Sequence, residues 1–451
     1  MPISSHLPRN SSLLLALLAA ALSVGAMPGS ALALDAEPGE VVVAYSSPAA
    51  AHVAGASAGA MPRVVRVRDV DATLRRLRAQ PGVRYAVPNV KARIAQAGTP
   101  SPAFLPNDEG APGSGGWEQV QWNFAGPFGV GAPEAWANAI AAGKPGAKGI
   151  TIAVLDTGVA YANRPPYKIS PDFTRSQFVK GYDFVDRDPY PFDRNGHGTH
   201  VAGTIGEATN NKFGLTGLAY GVRLMPVRVL DSLGEGNATD IAAGIRYAVR
   251  RGVKIINLSL EFDAEVTASD IPQLLDALAY AKSSGSLIVA AAGNEGSAKV
   301  AYPARARDVL SVGATTEHGC VSEFSNVGSG LDLVAPGGGA DRALKGDANC
   351  DPAGDAGRNI TQVTLLGSNV REFGLPDSYE GTSMAVPHVS ATAALVLATG
   401  AAGADPTPAQ IERRLEQTAR DLGPTGYDRR CGWGLLDAAA ASMPLGSTAA
   451  R

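Results

Sequence analysis

The sequence predicts an α/β fold, a parallel β-sheet flanked by helices, preceded by a small α+β domain. Three observations lead there. From residue 119 onward, short apolar runs recur without the alternation of a one-sided sheet, as expected of strands buried on both faces. Helical periodicities lie between those runs. A stretch rich in proline, glycine and small polar residues, 97–118, reads as a linker that divides this region from a short one before it.

The strands are read at TIAVLD (151–156), VRLMPVRVL (222–230), KIINLSL (254–260), LIVAAAGN (287–294) and VLSVGATT (309–316). Ile241, Ile245, Ala248 and Val249 share one face of a helix, with Thr239 as its cap and Gly252 as its stop. A second helix is predicted over 270–284, and a third opens at Thr407, where Pro408 and Gln410 form a capping-box pattern. In the first domain, 34–96, strands VVVAY (41–45) and VVRVRDV (64–70) precede a helix opened by Asp71, with Val70, Leu74 and Leu77 on one side. The turn Pro81-Gly82 leads into YAVPNVKARIA (85–95), completing a β-α-β arrangement.

Composition narrows the function. Charged residues make up 18% and the formal net charge is −3, so the chain lacks the basic excess of a nucleic-acid binder. Arg9, the apolar run LLLALLAAAL (13–22) and Ala31-Leu32-Ala33 form an export signal over 1–33, too short to span a bilayer, which predicts a soluble secreted protein with no membrane partner after its removal. No other segment is read as a membrane span. Cys320, Cys350 and Cys431 allow one disulfide in three pairings; Cys320 with Cys350 is favoured because they flank one loop-rich region.

Three motifs carry chemistry. VLDTGV (154–159) ends a strand with a carboxylate; aspartic-protease chemistry would need a second copy, and the sequence has none. NGHGTHVAGTIG (195–206) places His197 between glycines that let another backbone approach; His200 and His388 read as core histidines, and no metal-ligand spacing accompanies them. GTSMAVPH (381–388) puts Ser383 at a turn entering an apolar helix, whose free N–H groups and positive dipole end suit a developing oxyanion. Asn294, in AAAGNEG, supplies an amide. A serine hydroxyl needs a histidine to take its proton, and that histidine needs a carboxylate to fix its tautomer, so Asp156, His197 and Ser383 with Asn294 make a complete acyl-transfer set.

These motifs, in the order Asp, His, Asn, Ser, resemble the subtilisin-like serine proteases over about residues 119–440. The resemblance implies a serine endopeptidase acting on proteins or peptides, in which Asp156 orients His197, Ser383 attacks, and the Asn294 side chain with the Ser383 N–H forms the oxyanion hole. It also implies that 34–96 is an inhibitory propeptide acting intramolecularly, that 97–118 holds the processing point, and that 119–451 is the catalytic domain, working as a monomer with no cofactor for its chemistry. Structural calcium is implied at Asp183, Asp186 and Asp188, and at Gln121, Asp172 and Asn211 with the carbonyls of Thr209, Phe213 and Leu215. Substrate is expected along Leu233, Gly234 and Glu235 and along Ser259 and Leu260, with Ala291, Ala292 and Gly293 lining the pocket for the residue before the scissile bond. Two departures stand out. Glu261 occupies a place where many members have glycine and, with Glu235 and Glu295, raises the expectation of basic side chains in the cleft. Residues 337–378 form a long glycine-rich insertion, expected to be tied down by a disulfide from Cys320.

Overall fold

The structure is a computed structural model that describes residues 36–46, 62–90, 104–111 and 113–444. It separates into two compact units, Met1–Gln96 and Ala97–Arg451. The export signal read at 1–33, the end of the 85–95 stretch and the beginning of the linker lie outside the described residues.

The first unit is a three-stranded antiparallel sheet in the order β2-β1-β3, from β1 (Ala36–Tyr45), β2 (Arg63–Arg66) and β3 (Val83–Val90), with one helix, α1 (Val70–Arg78). Both outer strands oppose β1, so β2, α1 and β3 form the expected β-α-β crossover with β1 between its strands. Val41, Val43, Leu74, Leu77 and Ala86 make its core. The cap of α1 is Asp69, not Asp71: its extended backbone lets the carboxylate accept from the Ala72 N–H at 2.9 Å, while Asp71 lies in the first turn. On the other sheet face, Val64 and Val87 both pair with Val42, and Val64, Val87 and Tyr85 are 54%, 40% and 38% exposed.

The second unit is built on a seven-stranded, wholly parallel sheet in the order β10-β9-β8-β7-β4-β6-β5. Two short helices, α2 (Trp117–Val120) and α3 (Trp122–Ala125), precede its strands, which are β4 (Thr151–Asp156), β5 (Tyr182–Asp183), β6 (Arg223–Arg228), β7 (Ile255–Leu258), β8 (Leu287–Ala291), β9 (Leu310–Thr315) and β10 (Leu333–Pro336). The two strands absent from the sequence reading, β5 and β10, lie at the sheet's edges. Alternate residues of β4 face two separate cores. Ile152 and Val154 pack with α4 (Ala132–Ala141), α5 (His197–Gly206), α8 (Thr382–Thr399) and α9 (Pro408–Thr418), whereas Ala153 and Leu155 pack with α6 (Ala238–Val249) and α7 (Pro272–Ser283). Burial on both faces is why these strands read as unbroken apolar runs. The cap of α6 is Asn237, which accepts from the Thr239 and Asp240 N–H groups, so Thr239 is capped rather than capping. The capping box at Thr407 and Gln410 is formed. Helix α8 is long and apolar enough to cross a membrane, contrary to the sequence reading, and its residues are mostly buried in the protein.

Two connecting segments are more ordered than their composition suggests. Of the 97–118 stretch, Phe104 packs edge-on to Trp136 of α4, Trp117 is buried and donates its indole N–H to the Pro106 carbonyl at 2.8 Å, and Asp108 accepts from the Asn210 and Asn211 N–H groups. Linker character therefore ends before Phe104. In the 337–378 insertion, a Cys320–Cys350 disulfide closes one loop, and β11 (Thr364–Leu365) pairs with β12 (Phe373–Gly374). Thr364 donates from Oγ1 to the Gly196 carbonyl, which docks the insertion on the start of α5. Cys431 is free and buried.

The two bridged cysteines are 30 residues apart, and closing a loop of that size stabilises a fold by about 3–4 kcal/mol in the chain-entropy picture. The double variant C320S/C350S is expected to lose stability of that order in denaturant titration, measured in an S383A background to prevent self-digestion.

Candidate active site

The carboxyl ends of three adjacent strands, β4, β7 and β8, carry the site. Asp156 ends β4, Ser259 follows β7 and Asn294 follows β8, which is where open parallel sheets present functional groups.

Asp156 is fully buried. Its Oδ1 accepts from the Thr157 N–H at 2.7 Å and meets His197 Nδ1 at 2.7 Å. His197 is the first residue of α5. A side chain on Gly198 would collide with the Gly158 carbonyl, so only glycine lets this helix sit against the strand end. Asp193, which the sequence reading missed, fixes the approach: its carboxylate accepts from the N–H groups of Asn195, Gly196 and Thr199 and from the hydroxyls of Thr157 and Thr199. An aspartate a few residues before a helix start is the available sequence signal. The His197 side chain keeps 24% exposure. Burial works against its cation, but the Asp156 charge and hydrogen bond, with the Asp193 charge, outweigh burial and hold the imidazole above its ordinary 6.5.

Ser383 is the second residue of α8, where N–H groups have no intrahelical partner. Its Oγ donates to the Ser259 carbonyl at 3.2 Å, so the Ser383-to-His197 hydrogen bond is not made in this rotamer. The helix start is tied to the sheet through a chain of donors: Ser390 Oγ to Asn257 Oδ1, Asn257 Nδ2 to Ser259 Oγ, and Ser259 Oγ to the Ser383 carbonyl. Asn294 Oδ1 accepts from Thr382 N and Oγ1 at 2.8 and 3.0 Å, which turns Nδ2 away from Thr382. That Nδ2 and the Asn294 N–H both donate to the Glu261 carboxylate at 2.9 Å. His200 and His388 are core histidines. The first bonds to the Ile360 carbonyl and stacks on Tyr379, the second contacts Asn123 and the Met384 carbonyl, and burial drives them down to about 3 and about 4.

A buried carboxylate orienting an imidazole, a serine at a helix start and an amide beside it constitute a nucleophilic acyl-transfer arrangement. Comparison with protein families matches the subtilase family over residues 147–434. The chain belongs to the subtilase family. It is 35% identical over 363 residues to a thermophilic serine proteinase of Bacillus sp. (strain AK1), a match that spans 80% of this chain and 74% of that one. It is 37% identical over 294 residues to subtilisin Savinase of Lederbergia lenta, spanning 65% of this chain and 91% of that one. Thermitase of Thermoactinomyces vulgaris is 36% identical over 301 residues, or 67% and 90% of the two chains. Among solved structures, a protease from Pseudoalteromonas arctica PAMC 21717 superposes with a TM-score of 0.59 at 29% identity, covering 75% of this chain and 99% of that one. This subtilase is a serine-type endopeptidase that acts on protein substrates and needs no cofactor for catalysis.

The expected metal ligands do not converge. Asp183 accepts from the Val185 and Asp186 N–H groups and pairs with Arg228; Asp186 pairs with Arg194 and Arg228; Asp188 accepts from the Tyr190 N–H. Arginines thus neutralise Asp183 and Asp186, while Asp188 accepts from one backbone N–H only. At the other set, Asp172 and Asn211 meet, but Asp172 accepts from Asn211 Nδ2 and the Leu215 N–H, Asn211 Oδ1 is turned to the Phe213 N–H, and Gln121 bonds Thr216 instead. Among the described residues, one group of three carboxylates does converge: Asp332 with Glu412 and Glu416, the latter two an i, i+4 pair on α9 that the sequence reading did not single out.

Of the expected cleft residues, Ala291 and Ala292 are buried in the two cores and Gly293 is buried beside them, while Leu233, Gly234 and Glu235 form an exposed turn. Asn195 donates to the Ser232 carbonyl, setting that turn beside the His197 loop. The three glutamates part company: Glu235 is exposed, Glu295 accepts from the Ala264 N–H, and only Glu261 touches the Asn294 amide.

Two outcomes follow from this geometry. Only neutral His197 can accept the Ser383 proton, so kcat/KM should rise with pH through an apparent pKa above 6.5. Asp156→Asn should lower kcat about 10⁴-fold, as in other serine proteases, and move that limb to lower pH. Arg228 is 2% exposed and neutralises buried Asp183. Arg228→Met should therefore cost about 3–5 kcal/mol in denaturant titration, and adding Asp183→Asn should recover most of it.

Proposed function

We propose that this subtilase is exported as a proenzyme, processes itself, and hydrolyses exposed, extended segments of proteins through an acyl-enzyme. The observation that carries the reading is the 2.7 Å pair of Asp156 with His197 at the carboxyl end of the sheet, where Ser383 and the anchored Asn294 amide also lie.

In the proposed reaction, rotation of Ser383 brings Oγ to the His197 imidazole, whose Nδ1 is engaged by Asp156. As Oγ attacks the substrate carbonyl, His197 takes the hydroxyl proton and its cation is balanced by Asp156. The carbonyl oxygen becomes an oxyanion, held by Asn294 Nδ2 and the Ser383 N–H at the positive end of α8. Collapse expels the amine, which takes the proton from His197 and leaves the acyl group on Ser383. Water, deprotonated by the same imidazole, then releases the second product.

Several features support the proenzyme. The first unit has its own core and leaves the apolar strip of Val64, Tyr85 and Val87 on one sheet face, which suits a domain built to be covered. The apolar run at 13–22 supports export and, with the alanines at 31 and 33, a first cut that leaves 34–451. Because Phe104 and the residues after it are built into the catalytic unit, we place the second cut before Phe104.

Ser383→Ala is expected to accumulate as uncut proprotein, whereas the wild type gains a new N-terminus before Phe104, read by N-terminal sequencing. Normal maturation of the purified variant would refute self-processing. A fluorophosphonate should label the wild type and leave Ser383→Ala unlabelled.

A further inference from the structure

We propose that Glu261 makes this subtilase select substrates with lysine or arginine immediately before the scissile bond, because a substrate cation must neutralise the carboxylate that holds the oxyanion amide. The inference rests on the catalytic reading above and names the substrate class of that same site.

The geometry is that of a double clamp. Asn294 is held at one end by Thr382 and at the other by Glu261, whose two oxygens accept from Asn294 Nδ2 and from its N–H, each at 2.9 Å. Nδ2 carries two hydrogens. One reaches Glu261 and the other remains for the oxyanion. An ionised Glu261 thus lies one amide group from the atom where negative charge develops. Two like charges about 5 Å apart, at an effective dielectric constant near 20, slow a reaction by a factor on the order of a hundred.

Among the described residues Glu261 forms no ion pair; Lys299, Arg305 and Arg342 hydrogen-bond the carbonyls of Ala264, of Val266, and of Ser325 and Gly296 rather than its carboxylate. Burial and the neighbouring Glu295 charge both disfavour the Glu261 anion. Each of its oxygens still has acceptor capacity beyond the single hydrogen bond it makes.

The carboxylate also faces the right place. A side chain on Gly293 would collide with Glu261 Oε2 and with Asn326 Nδ2, so these two groups flank the Gly293 α-carbon, in the segment expected to line the pocket for the residue before the scissile bond. Asn326 is fully buried, and its Oδ1 is fixed by the N–H groups of Glu295 and Ser297. Its Nδ2 has no partner. Asn326 Nδ2 only donates and cannot receive an ammonium or guanidinium, so of the two groups beside Gly293 it is the half-buried Glu261 carboxylate, with no cation paired to it, that offers an acceptor to a substrate cation. An ammonium or guanidinium group fits the carboxylate, and its arrival removes the charge that opposes the oxyanion. An uncharged side chain leaves that charge in place.

The test compares peptides identical except for lysine against norleucine, and arginine against citrulline, before the cleaved bond, assayed at alkaline pH with active sites counted by a fluorophosphonate. Wild-type kcat/KM should favour each cation by about 10- to 100-fold, chiefly in kcat. Glu261→Gln and Glu261→Gly should bring both ratios close to one and should raise cleavage of the norleucine peptide. A purely structural role for Glu261 would instead slow all four peptides alike. Wild-type ratios near one, or ratios unchanged in a variant that still labels, overturn the proposal. If neither variant labels, the wild-type ratios decide it. A wild type that neither labels nor cleaves any peptide overturns the catalytic reading itself.

Discussion

The hydrogen bond between Asp156 and His197 is the interaction that the rest of the catalytic unit is arranged to protect. A fully buried carboxylate is costly unless its charge is met by donors; here the Thr157 N–H and the imidazole both meet Oδ1, while Oδ2 is buried without a partner. Both donors depend on the sheet. Asp156 can be buried at a strand end only because β6 and β7 flank β4 and both faces are covered. His197 can reach it only because glycine at 198 lets α5 approach the strand that carries it. Asp193 then gathers the backbone of the turn before α5, so the imidazole arrives on a pinned loop.

The nucleophile is placed from the opposite direction, and its precision comes from polar bonds inside an apolar layer. Helix α8 is nearly all buried, which would allow it to slide against the sheet if only shape held it. The chain from Ser390 through Asn257 and Ser259 to the Ser383 carbonyl fixes its register, and Thr382 fixes Asn294 to the same turn. Ser383 and the Asn294 amide are therefore fixed to one turn. Such networks are stable only when every member is satisfied, which favours one arrangement over neighbouring registers.

How much of this was legible depended on whether the constraint was local. The motifs of Asp156, His197 and Ser383 stand out because each has a distinctive local neighbour: a strand before Asp156, glycines about His197, a helix after Ser383. The internal strands could be read because burial on both faces removes alternation, whereas β5 has only two residues and shows no pattern. The linker was misread at its C-terminal end because composition sees the prolines and glycines, while Phe104 and Trp117 are anchored by Trp136 and by the Pro106 carbonyl, distant or folded-back partners that composition does not contain. The acidic run at 183–188 suggested a cation for the same reason: Arg228 lies on another strand, and only pairing of β5 with β6 brings its guanidinium to Asp183.

Glu261 shows where local and distant constraints conflict. Beside an oxyanion amide, a glycine contributes no charge, and catalysis needs none there. A carboxylate at that place tightens the grip on Asn294 through two hydrogen bonds, yet opposes the charge the amide must receive. Rigidity and electrostatics act in opposite directions on the same barrier, and among the described residues no lysine or arginine pairs with the Glu261 carboxylate to reconcile them. The reconciling charge must then come with the substrate. Specificity built this way does not rest on the fit of a side chain in a pocket. It rests on completing a catalytic group that is overcharged until the right residue arrives, so discrimination appears in turnover more than in binding.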